Sequence, residues 1–193
     1  VGAHTPRTEA LLREVYAPII DEGVPFLVTD FPTAELVKVA ANSFLATKIS
    51  FINAMSEVCE AAGADVTQLA EAIGYDPRIG NRFLAAGLGF GGGCLPKDIR
   101  AFMARAAELG AENAVAFLRE VDQINLRRRT RTVDLAREAL GGSFRDRRVT
   151  VLGASFKPDS DDVRDSPSLD VAVAMSNAGA QVVVHDPKGL VNA

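Results

Sequence analysis

The sequence predicts a mainly helical chain that ends in a small parallel α/β unit. Helical periodicity dominates up to Gly142, and the segment from Ala34 to Ala62 contains neither glycine nor proline. After Gly142 the pattern changes to two short apolar runs on either side of a helix, as expected of a β-α-β unit. The composition, with 48% hydrophobic and 24% charged residues, is ordinary for a globular protein.

The first half of the chain contains three predicted helices and one predicted strand. Apolar residues recur at helical spacing from Thr8 to Ile20, and residues 25–29 form an apolar run that predicts a strand. Asp30-Phe31-Pro32-Thr33 is a helix-start signal, so a long helix is expected over residues 34–62. That helix is apolar on nearly all sides, which predicts burial in a core or in a subunit interface. A further helix is expected over residues 65–74.

The second half contains a glycine-rich loop, two helices and the α/β unit. The loop over residues 75–95 is long enough to indicate a functional role. Helices are expected over residues 96–109 and 112–140, because glycines follow each of them. The remaining predicted elements are a buried strand over residues 148–153, a helix from Ser166 or Ser168 to Gly179, and a second buried strand over residues 181–187.

Bulk properties argue against several function classes. The formal net charge is −4, so no nucleic-acid partner is expected. The basic run over residues 127–131 is interpreted as the solvated face of a helix, because acidic residues lie nearby. The two cysteines, Cys59 and Cys94, make no disulfide framework, which is typical of the reducing cytoplasm. With no apolar stretch of about 18 residues and no signal peptide, no membrane partner is expected.

The most informative motif is the run Gly89-Phe90-Gly91-Gly92-Gly93-Cys94-Leu95-Pro96-Lys97-Asp98. Its glycines let the backbone approach a ligand closely, and Pro96 suits the first position of a helix. Cys94 would then precede a helix N-terminus beside Lys97, which should lower the pKa of its thiol and favour the thiolate. A thiolate next to the carboxylate of Asp98 is typical of covalent catalysis. The alternative is a small, buried, hydrophobic cysteine.

Three polar residues lie on one face of the predicted long helix. Glu35, Lys38 and Asn42 are spaced i, i+3 and i+7. A surface pair of Glu35 and Lys38 would contribute little, but Asn42 lies one turn deeper in an apolar helix. A lysine and an asparagine amide could together stabilise a developing oxyanion.

A charged segment follows the first strand of the α/β unit. Residues 157–167 would lie at the carboxyl end of that strand, where open α/β sheets bind ligands. Lys157 and Arg164 could hold phosphates there. The alternative is a solvated acidic turn followed by a helix cap. The G-x-G-x-x-G motif of dinucleotide sites is absent from this position.

Together and in this order, these motifs resemble the nucleotide-sugar 6-dehydrogenase family, which includes the UDP-glucose and GDP-mannose dehydrogenases. The resemblance rests on residues 35–53, 76–80, 89–98 and 156–164. It implies an α/β parent protein with a helical central domain of the 6-phosphogluconate-dehydrogenase type, followed by a partial Rossmann-like β-α-β unit. The implied domains are the tail of an NAD-binding domain over residues 1–30, a central dimerisation and catalytic domain over residues 31–142, and the start of a UDP-binding domain over residues 143–193.

The resemblance also implies a chemistry. The 6-hydroxymethyl group of a nucleotide sugar would be oxidised twice with NAD as cofactor, through a thiohemiacetal and a thioester on Cys94. UDP-glucose is the expected substrate, and GDP-mannose is the alternative. The implied catalytic residues are Cys94, Lys38, Asn42 and Asp98. The implied substrate contacts are Arg78, Phe83, Gly91 and Lys157, the implied cofactor contacts are Lys97 and Arg164, and no metal is expected.

A homodimer should form through the helix over residues 34–62, because that helix is apolar on nearly all sides. The resemblance implies that Arg78 reaches the neighbouring subunit. Gly93 stands where many members have serine, which leaves the implied mechanism intact. The chain resembles a piece of a longer enzyme, so it should be inactive alone. A non-catalytic helical dimerisation module is the alternative from another class, but it leaves the glycines before Cys94 unexplained.

Overall fold

The computed structural model describes residues 1–193 and confirms a mainly helical chain with one small parallel sheet. The helices are α1 (Pro6–Val15), α2 (Ala17–Asp21), α3 (Phe31–Ala62), α4 (Val66–Gly74), α5 (Leu95–Glu108), α6 (Phe117–Ala139) and α7 (Pro167–Asn177). The strands are β1 (Arg148–Leu152) and β2 (Gln181–His185). The chain divides into two compact units, residues 1–42 and residues 43–193. None of the helices combines the length and the apolar composition needed to cross a bilayer.

The first unit contains two short helices where the sequence predicts one. The prediction of a continuous helix from Thr8 to Ile20 is wrong, because α1 and α2 are separated at Tyr16, which has φ −94° and ψ 5°. Pro18 explains the break, since it has no amide hydrogen and its ring would clash with the carbonyl of Glu14 in a continuous helix. The chain therefore restarts with Pro18 in the first turn of α2.

The predicted strand over residues 25–29 is also wrong. Thr29 forms a single parallel bridge with Gly2, and the Leu27 carbonyl accepts from the Val1 amino group at 2.7 Å. The Thr29 amide donates to the Val1 carbonyl at 3.0 Å, and the Thr29 carbonyl accepts from the Ala3 amide at 2.9 Å. A strand needs a partner of matching length, and residues 1–3 provide only this one bridge.

Helix α3 is the long helix that the sequence predicts. It begins at Phe31 because the carboxylate of Asp30 accepts a hydrogen bond from the Thr33 amide at 2.7 Å. Its buried residues within the second unit are Ser43, Ala46, Ser50, Ile52, Asn53, Ser56 and Cys59. Phe44, Phe51 and Val58 are instead 66%, 47% and 57% exposed. The core therefore covers only one face of this helix.

The core of the second unit lies where α3, α5 and α6 meet. It is built from Ala46, Phe90, Ile99, Leu118 and Val121. Ser50 ties two of these helices together, because its hydroxyl donates to the Val121 carbonyl at 2.7 Å. Phe90 belongs to the glycine-rich loop, so that loop is anchored in the core.

Two predicted helix starts shift in the structure. Helix α5 begins at Leu95, so Pro96 occupies its second position and not its first. The predicted helix over residues 112–140 opens with a 3₁₀ turn, Glu112–Val115, and becomes α-helical only at Phe117. The predicted helix over residues 65–74, for which Asp65 serves as the N-cap of α4, is confirmed, and so is the glycine-rich loop that follows it.

The α/β unit consists of β1, α7 and β2. The strands are parallel, with register Arg148↔Gln181 to Leu152↔His185. Helix α7 begins at Pro167, after Ser166 accepts a hydrogen bond from the Leu169 amide. The prediction that both strands are buried is wrong, because exposed residues alternate with half-buried ones in each strand and Leu152 is 77% exposed. Val149 and Val182 pack on the cluster formed by α6 and α7, which covers only one face of the sheet.

Candidate functional site

The glycine-rich loop is held by two buried asparagines from neighbouring helices. Asn125 on α6 accepts a hydrogen bond from the Phe90 amide at 2.6 Å and donates to the Phe90 carbonyl at 2.9 Å. Asn53 on α3 accepts from the Gly87 amide at 2.8 Å. Buried backbone groups need partners, and a loop without strand neighbours obtains them here from side chains.

The basic run on α6 provides two more contacts to the same loop. Arg128 and Arg129 are only 7% and 8% exposed, so the prediction of a solvated face is wrong for them. The Arg128 Nε donates to the Gly87 carbonyl at 3.2 Å, and the Arg129 Nη2 donates to the Phe90 carbonyl at 3.3 Å. Burial of a guanidinium requires acceptors, and the loop carbonyls provide one for each of these arginines.

Sequence reasoning missed this group of buried polar residues on α6. A signal was present, because they share one helical face with buried apolar residues. The buried positions of the helix are Leu118, Val121, Asn125, Arg128, Arg129 and Val133. Polar residues at core-facing positions require specific partners, so this spacing marks the face that contacts the loop.

Two glycines of the loop permit a close approach to the segment before α7. A side chain at Gly91 would overlap the Asp165 carbonyl and would lie 2.7 Å from Pro167. A side chain at Gly92, where φ is 79°, would lie 2.6 Å from the Phe156 ring. The Gly92 amide donates to the Arg164 carbonyl at 2.9 Å. The glycine run therefore permits close packing against residues 156–167.

Cys94 lies directly before α5 and is exposed, whereas Cys59 is buried. The alternative of a small buried cysteine thus describes Cys59 and not Cys94. Lys97 and Asp98 follow in the first turn, with the Lys97 Nζ 2.9 Å from a carboxylate oxygen of buried Asp98. The hydrogen bond to Asp98 and its charge raise the pKa of Lys97, with a smaller electrostatic contribution from Cys94.

Arg164 approaches the same loop from the α/β unit. Its guanidinium carbon would lie 3.0 Å from a side-chain carbon at Gly93, so the glycine leaves room for it. The Arg164 Nη2 pairs with Asp162 at 2.6 Å. The hydrogen bonds in this pair raise the pKa of Arg164 and lower that of Asp162 to about 2. A smaller electrostatic contribution from Cys94 also raises the Arg164 pKa.

A cavity of about 870 Å³ lies at the carboxyl edge of β1 and β2. Its lining includes Ser155, Lys157, Ser160, Ser168 and Asp186. The cavity lies where the sequence predicts a ligand site, and Lys157 places a cation on its wall. The Lys157 ammonium is also 5.5 Å from the centre of the Phe156 ring.

Asp186 joins the two loops that border this cavity. Its carboxylate accepts hydrogen bonds from the amides of Ala154, Ser155, Lys188 and Gly189, at 2.6–3.0 Å. These four donors hold the pKa of Asp186 far below its ordinary value. Asp186 could have been singled out from the sequence, because an aspartate directly after a strand at a ligand-binding edge is a visible signal.

The remaining predicted site residues lie on other elements. Lys38 and Asn42 are one turn apart on α3, in the first unit. In the second unit, Lys48 donates to the carbonyls of Ile79 and Gly80, at 2.9 and 3.2 Å, and so holds the turn that carries Arg78. The exposed Arg78 pairs with Asp76. Phe83 is exposed and has a positive φ of 64°.

Among the predicted residues, the structure brings together those on the loop, on α5 and before α7. They are Gly91, Cys94, Lys97, Asp98 and Arg164. This arrangement places an exposed thiol directly before α5, with Lys97 and the buried Asp98 in the first turn of that helix and the Arg164 guanidinium beside the adjacent Gly93. It can carry out nucleophilic chemistry on a bound carbonyl group.

Two family models match this chain. The central domain of the UDP-glucose/GDP-mannose dehydrogenase family matches residues 32–127, and the UDP-binding domain of the same family matches residues 150–193. The chain belongs to the UDP-glucose/GDP-mannose dehydrogenase family. Within this family it is 43% identical to a UDP-glucose 6-dehydrogenase of Rickettsia typhi over 193 residues, and 40% identical to UDP-glucose 6-dehydrogenase TuaD of Bacillus subtilis over 187 residues.

Solved structures of the family resemble the fold closely. A UDP-glucose dehydrogenase from Pyrobaculum islandicum superimposes with a TM-score of 0.91 at 42% identity, covering 99% of this chain and 43% of that one. A UDP-D-ManNAc dehydrogenase from Pyrococcus horikoshii gives a TM-score of 0.74 at 28% identity, covering 84% of this chain and 38% of that one. The sequence match to the Rickettsia typhi relative covers 100% of this chain but only 44% of that relative. The match to the Bacillus subtilis relative covers 97% of this chain and 39% of that relative. The chain therefore spans less than half the length of either relative.

The close approach at Gly91 gives a first testable prediction. Gly91→Ala should lower the free energy of unfolding by about 1–3 kcal/mol, because the added methyl group overlaps the Asp165 carbonyl. Gly87→Ala is the matched control, since nothing lies within 4 Å of its side-chain position. It should change the free energy of unfolding by no more than about 1 kcal/mol. Urea denaturation of both variants measures the difference, and equal effects would contradict this close packing.

The four amides around Asp186 give a second prediction, on pH dependence. Because the folded-state pKa is depressed, the stabilisation from this carboxylate is complete above its unfolded-state pKa of about 3.9 and is lost as the pH falls toward the folded-state pKa. Wild type should therefore be more stable than Asp186→Asn near neutral pH, and the difference should shrink on acidification. Chemical denaturation across the pH range tests this, with Asp159→Asn as an exposed control. A difference that does not change with pH would refute it.

Proposed function

We propose that this chain supplies the catalytic cysteine and part of the nucleotide-sugar site of an NAD-dependent UDP-glucose 6-dehydrogenase. The observation that carries the proposal is the exposed Cys94 at the start of α5, on a loop that buried side chains hold in place. Identity of 40–43% to several UDP-glucose 6-dehydrogenases over nearly the whole chain supports the same activity. Because those relatives are more than twice as long, other segments would complete the enzyme.

The proposed substrate is UDP-glucose. Support comes from the match of residues 150–193 to a UDP-binding domain and from the cavity beside Lys157. The alternative, GDP-mannose, has weaker support, because the GDP-mannose dehydrogenase from Pseudomonas aeruginosa gives a TM-score of 0.50 at 28% identity. In this proposal Lys157 faces the negatively charged nucleotide, as an ammonium group can bind phosphate as a point charge.

The proposed reaction proceeds through two covalent states of Cys94. The 6-hydroxymethyl group first loses a hydride and a proton to become an aldehyde, and the Cys94 sulfur adds to the aldehyde carbon to form a thiohemiacetal. Loss of a second hydride and a proton gives a thioester, which water cleaves to release the carboxylate and the thiol. A thiolate suits both steps, since it is a good nucleophile and a good leaving group.

Three further residues have proposed roles in these steps. Lys38 and Asn42 would donate hydrogen bonds to the oxyanion of the tetrahedral states and would hold the hydrolytic water. Asp98 would accept a proton from that water. Its burial and its ion pair with Lys97 keep the carboxylate at a fixed position in the first turn of α5.

NAD is the proposed cofactor, and Lys97 and Arg164 are the proposed contacts of this chain to it. Both side chains are exposed cations, Lys97 in the first turn after Cys94 and Arg164 with its guanidinium beside Gly93, which suits a dinucleotide that carries a pyrophosphate. When bound, NAD accepts the hydride in each oxidation. Lys97 and Arg164 would orient it by charge, while Gly91 and Phe83 would contact the sugar nucleotide.

The proposed assembly is a homodimer through the helix over residues 34–62. On α3, Phe44, Phe51 and Val58 recur every seven residues and are exposed, as in a seam between two helices. A pocket of about 330 Å³ beside Phe44 and Phe51 is bordered by Arg78, so a second subunit on this face would also meet that arginine. Arg78 would then contact substrate in the neighbouring subunit.

We also propose the domain boundaries that the sequence predicts. They are residues 1–30 for the tail of the NAD-binding domain, 31–142 for the central domain and 143–193 for the start of the UDP-binding domain. The family models over residues 32–127 and 150–193 support them. A cytoplasmic location stays a prediction, supported by the two unpaired cysteines.

The activity is tested in the full-length protein that carries this chain. With UDP-glucose and NAD, the wild type should form UDP-glucuronate and two NADH per turnover, and Cys94→Ser should lower net acid formation by at least about 10³-fold, as for loss of a nucleophile. Cys59→Ser is the matched control, because that thiol is buried away from solvent. Normal turnover by the Cys94→Ser enzyme would show that Cys94 is not the nucleophile.

The substrate is tested separately by calorimetric titration of the full-length protein with each sugar nucleotide. Preference for GDP-mannose would favour the alternative substrate.

The dimer is tested by analytical ultracentrifugation. Phe51→Asp should weaken self-association at least about tenfold, because it places a charge in an apolar interface. Phe117→Asp is the matched control, since Phe117 is similarly exposed but lies on α6. The proposal is wrong if the wild type sediments as a monomer at micromolar concentration, or if both variants associate as the wild type does.

A further inference from the structure

Arg129 makes contacts with three separate parts of the second unit. Its Nη1 donates to the Asp165 carboxylate at 2.9 Å and to the carboxylate of Asp170. Its Nη2 donates to the Phe90 carbonyl at 3.3 Å. One buried guanidinium on α6 therefore joins the glycine-rich loop to the segment before α7 and to the first turn of that helix.

Arg129 contacts Asp165 and Asp170, and the segment over residues 160–168 borders the cavity at the carboxyl edge of β1 and β2. Ser160 and Asp161 line the cavity at one end of this segment, and Ser168 lines it at the other. Between them, the Arg164 carbonyl accepts from the Gly92 amide, and the Asp165 carbonyl lies where a side chain at Gly91 would be. The position of the backbone two residues before Cys94 thus depends on the position of residues 160–168.

The contacts of Arg129 are poorly suited to stability alone. Its Nε is buried without a hydrogen-bond partner in the structure. Burial of an ion pair costs desolvation free energy, and a buried donor without a partner adds to that cost. Packed apolar residues could fill such a position without this cost, so the guanidinium is better explained by the three groups that it holds in register.

We propose that Arg129 is a positioning residue for Cys94. It fixes the glycine-rich loop against residues 160–170, so that the sulfur keeps a constant position relative to a nucleotide in the cavity. This inference rests on the proposed function for the role of Cys94, but the arrangement that it describes can be measured without any activity.

The test compares Arg129→Met with Arg127→Met in the 193-residue chain. Arg127 is the matched control because it lies on the same helix but is exposed, with only a 3.7 Å contact to Glu57. Hydrogen exchange at the Gly92 amide should become at least about tenfold faster in Arg129→Met, because its bond to the Arg164 carbonyl loses its support. Arg127→Met should exchange as the wild type does. An unchanged Gly92 rate in Arg129→Met would overturn the proposal.

Alkylation of the two cysteines separates loosening of the loop from unfolding. If Cys59 stays unreactive in Arg129→Met, the second unit remains folded and the exchange data apply. If Cys59 reacts as Cys94 does, Asp165→Asn replaces the first variant, since it leaves the arginine in place and removes one charged partner. Gly92 exchange should then rise at least about threefold, and no change would overturn the proposal.

A kinetic readout in the full-length protein distinguishes positioning from a general structural role. Arg129→Met should lower kcat at least about tenfold while KM for UDP-glucose changes less than about threefold, because alignment of the sulfur is needed only during reaction. Arg129→Lys should recover part of kcat, since its ammonium can still reach one carboxylate. Equal kcat losses in the lysine and methionine variants would contradict positioning by the charged group. If the wild type oxidises no UDP-glucose, the proposed function fails, and the exchange experiment still decides the role of Arg129.

Discussion

The pair of hydrogen bonds between Asn125 and Phe90 sets the arrangement of the site. The loop between α4 and α5 has no strand beside it, yet Phe90 lies within the core. Its amide and carbonyl are therefore withdrawn from water and need partners. A single carboxamide meets both needs, at 2.6 and 2.9 Å. The path of the chain toward Cys94 is fixed at this point.

The three glycines after Phe90 have no side chains, so atoms of the α/β unit can approach the backbone of residues 91–93 closely. Gly91 and Gly92 admit the backbone and the Phe156 ring of the α/β unit, and Gly93 admits the guanidinium of Arg164. The helical part and the α/β part of the second unit thus meet directly before the exposed sulfur. Lys97 follows the sulfur in the first turn of α5, and the Arg164 guanidinium lies beside the adjacent Gly93, so each part contributes a cation. The catalytic proposal depends on this meeting as much as on the cysteine itself.

The sequence predicts the fold well where a local signal decides the structure, and less well where partners decide it. Asp30, Asp65 and Ser166 each cap a helix at or near a start that the sequence indicates, because a side-chain oxygen and a nearby amide are enough. The strand over residues 25–29 fails because pairing depends on residues elsewhere.

The same distinction applies to the candidate site. The exposed loop cysteine could be predicted from its glycines and proline. The burial of Arg128 and Arg129 could not be predicted from charge, since it depends on loop carbonyls and on Asp165 and Asp170.

If these contacts hold the loop as the structure indicates, the segment before Cys94 is a rigid part of the core. Native-state hydrogen exchange of the Phe90 amide decides this, because exchange reports the free energy needed to expose that group. We predict that this amide exchanges as slowly as the slowest amides of α3 and α6, so that it opens only when the second unit unfolds. Exchange at the rate of solvent-exposed loop amides would contradict a rigid loop.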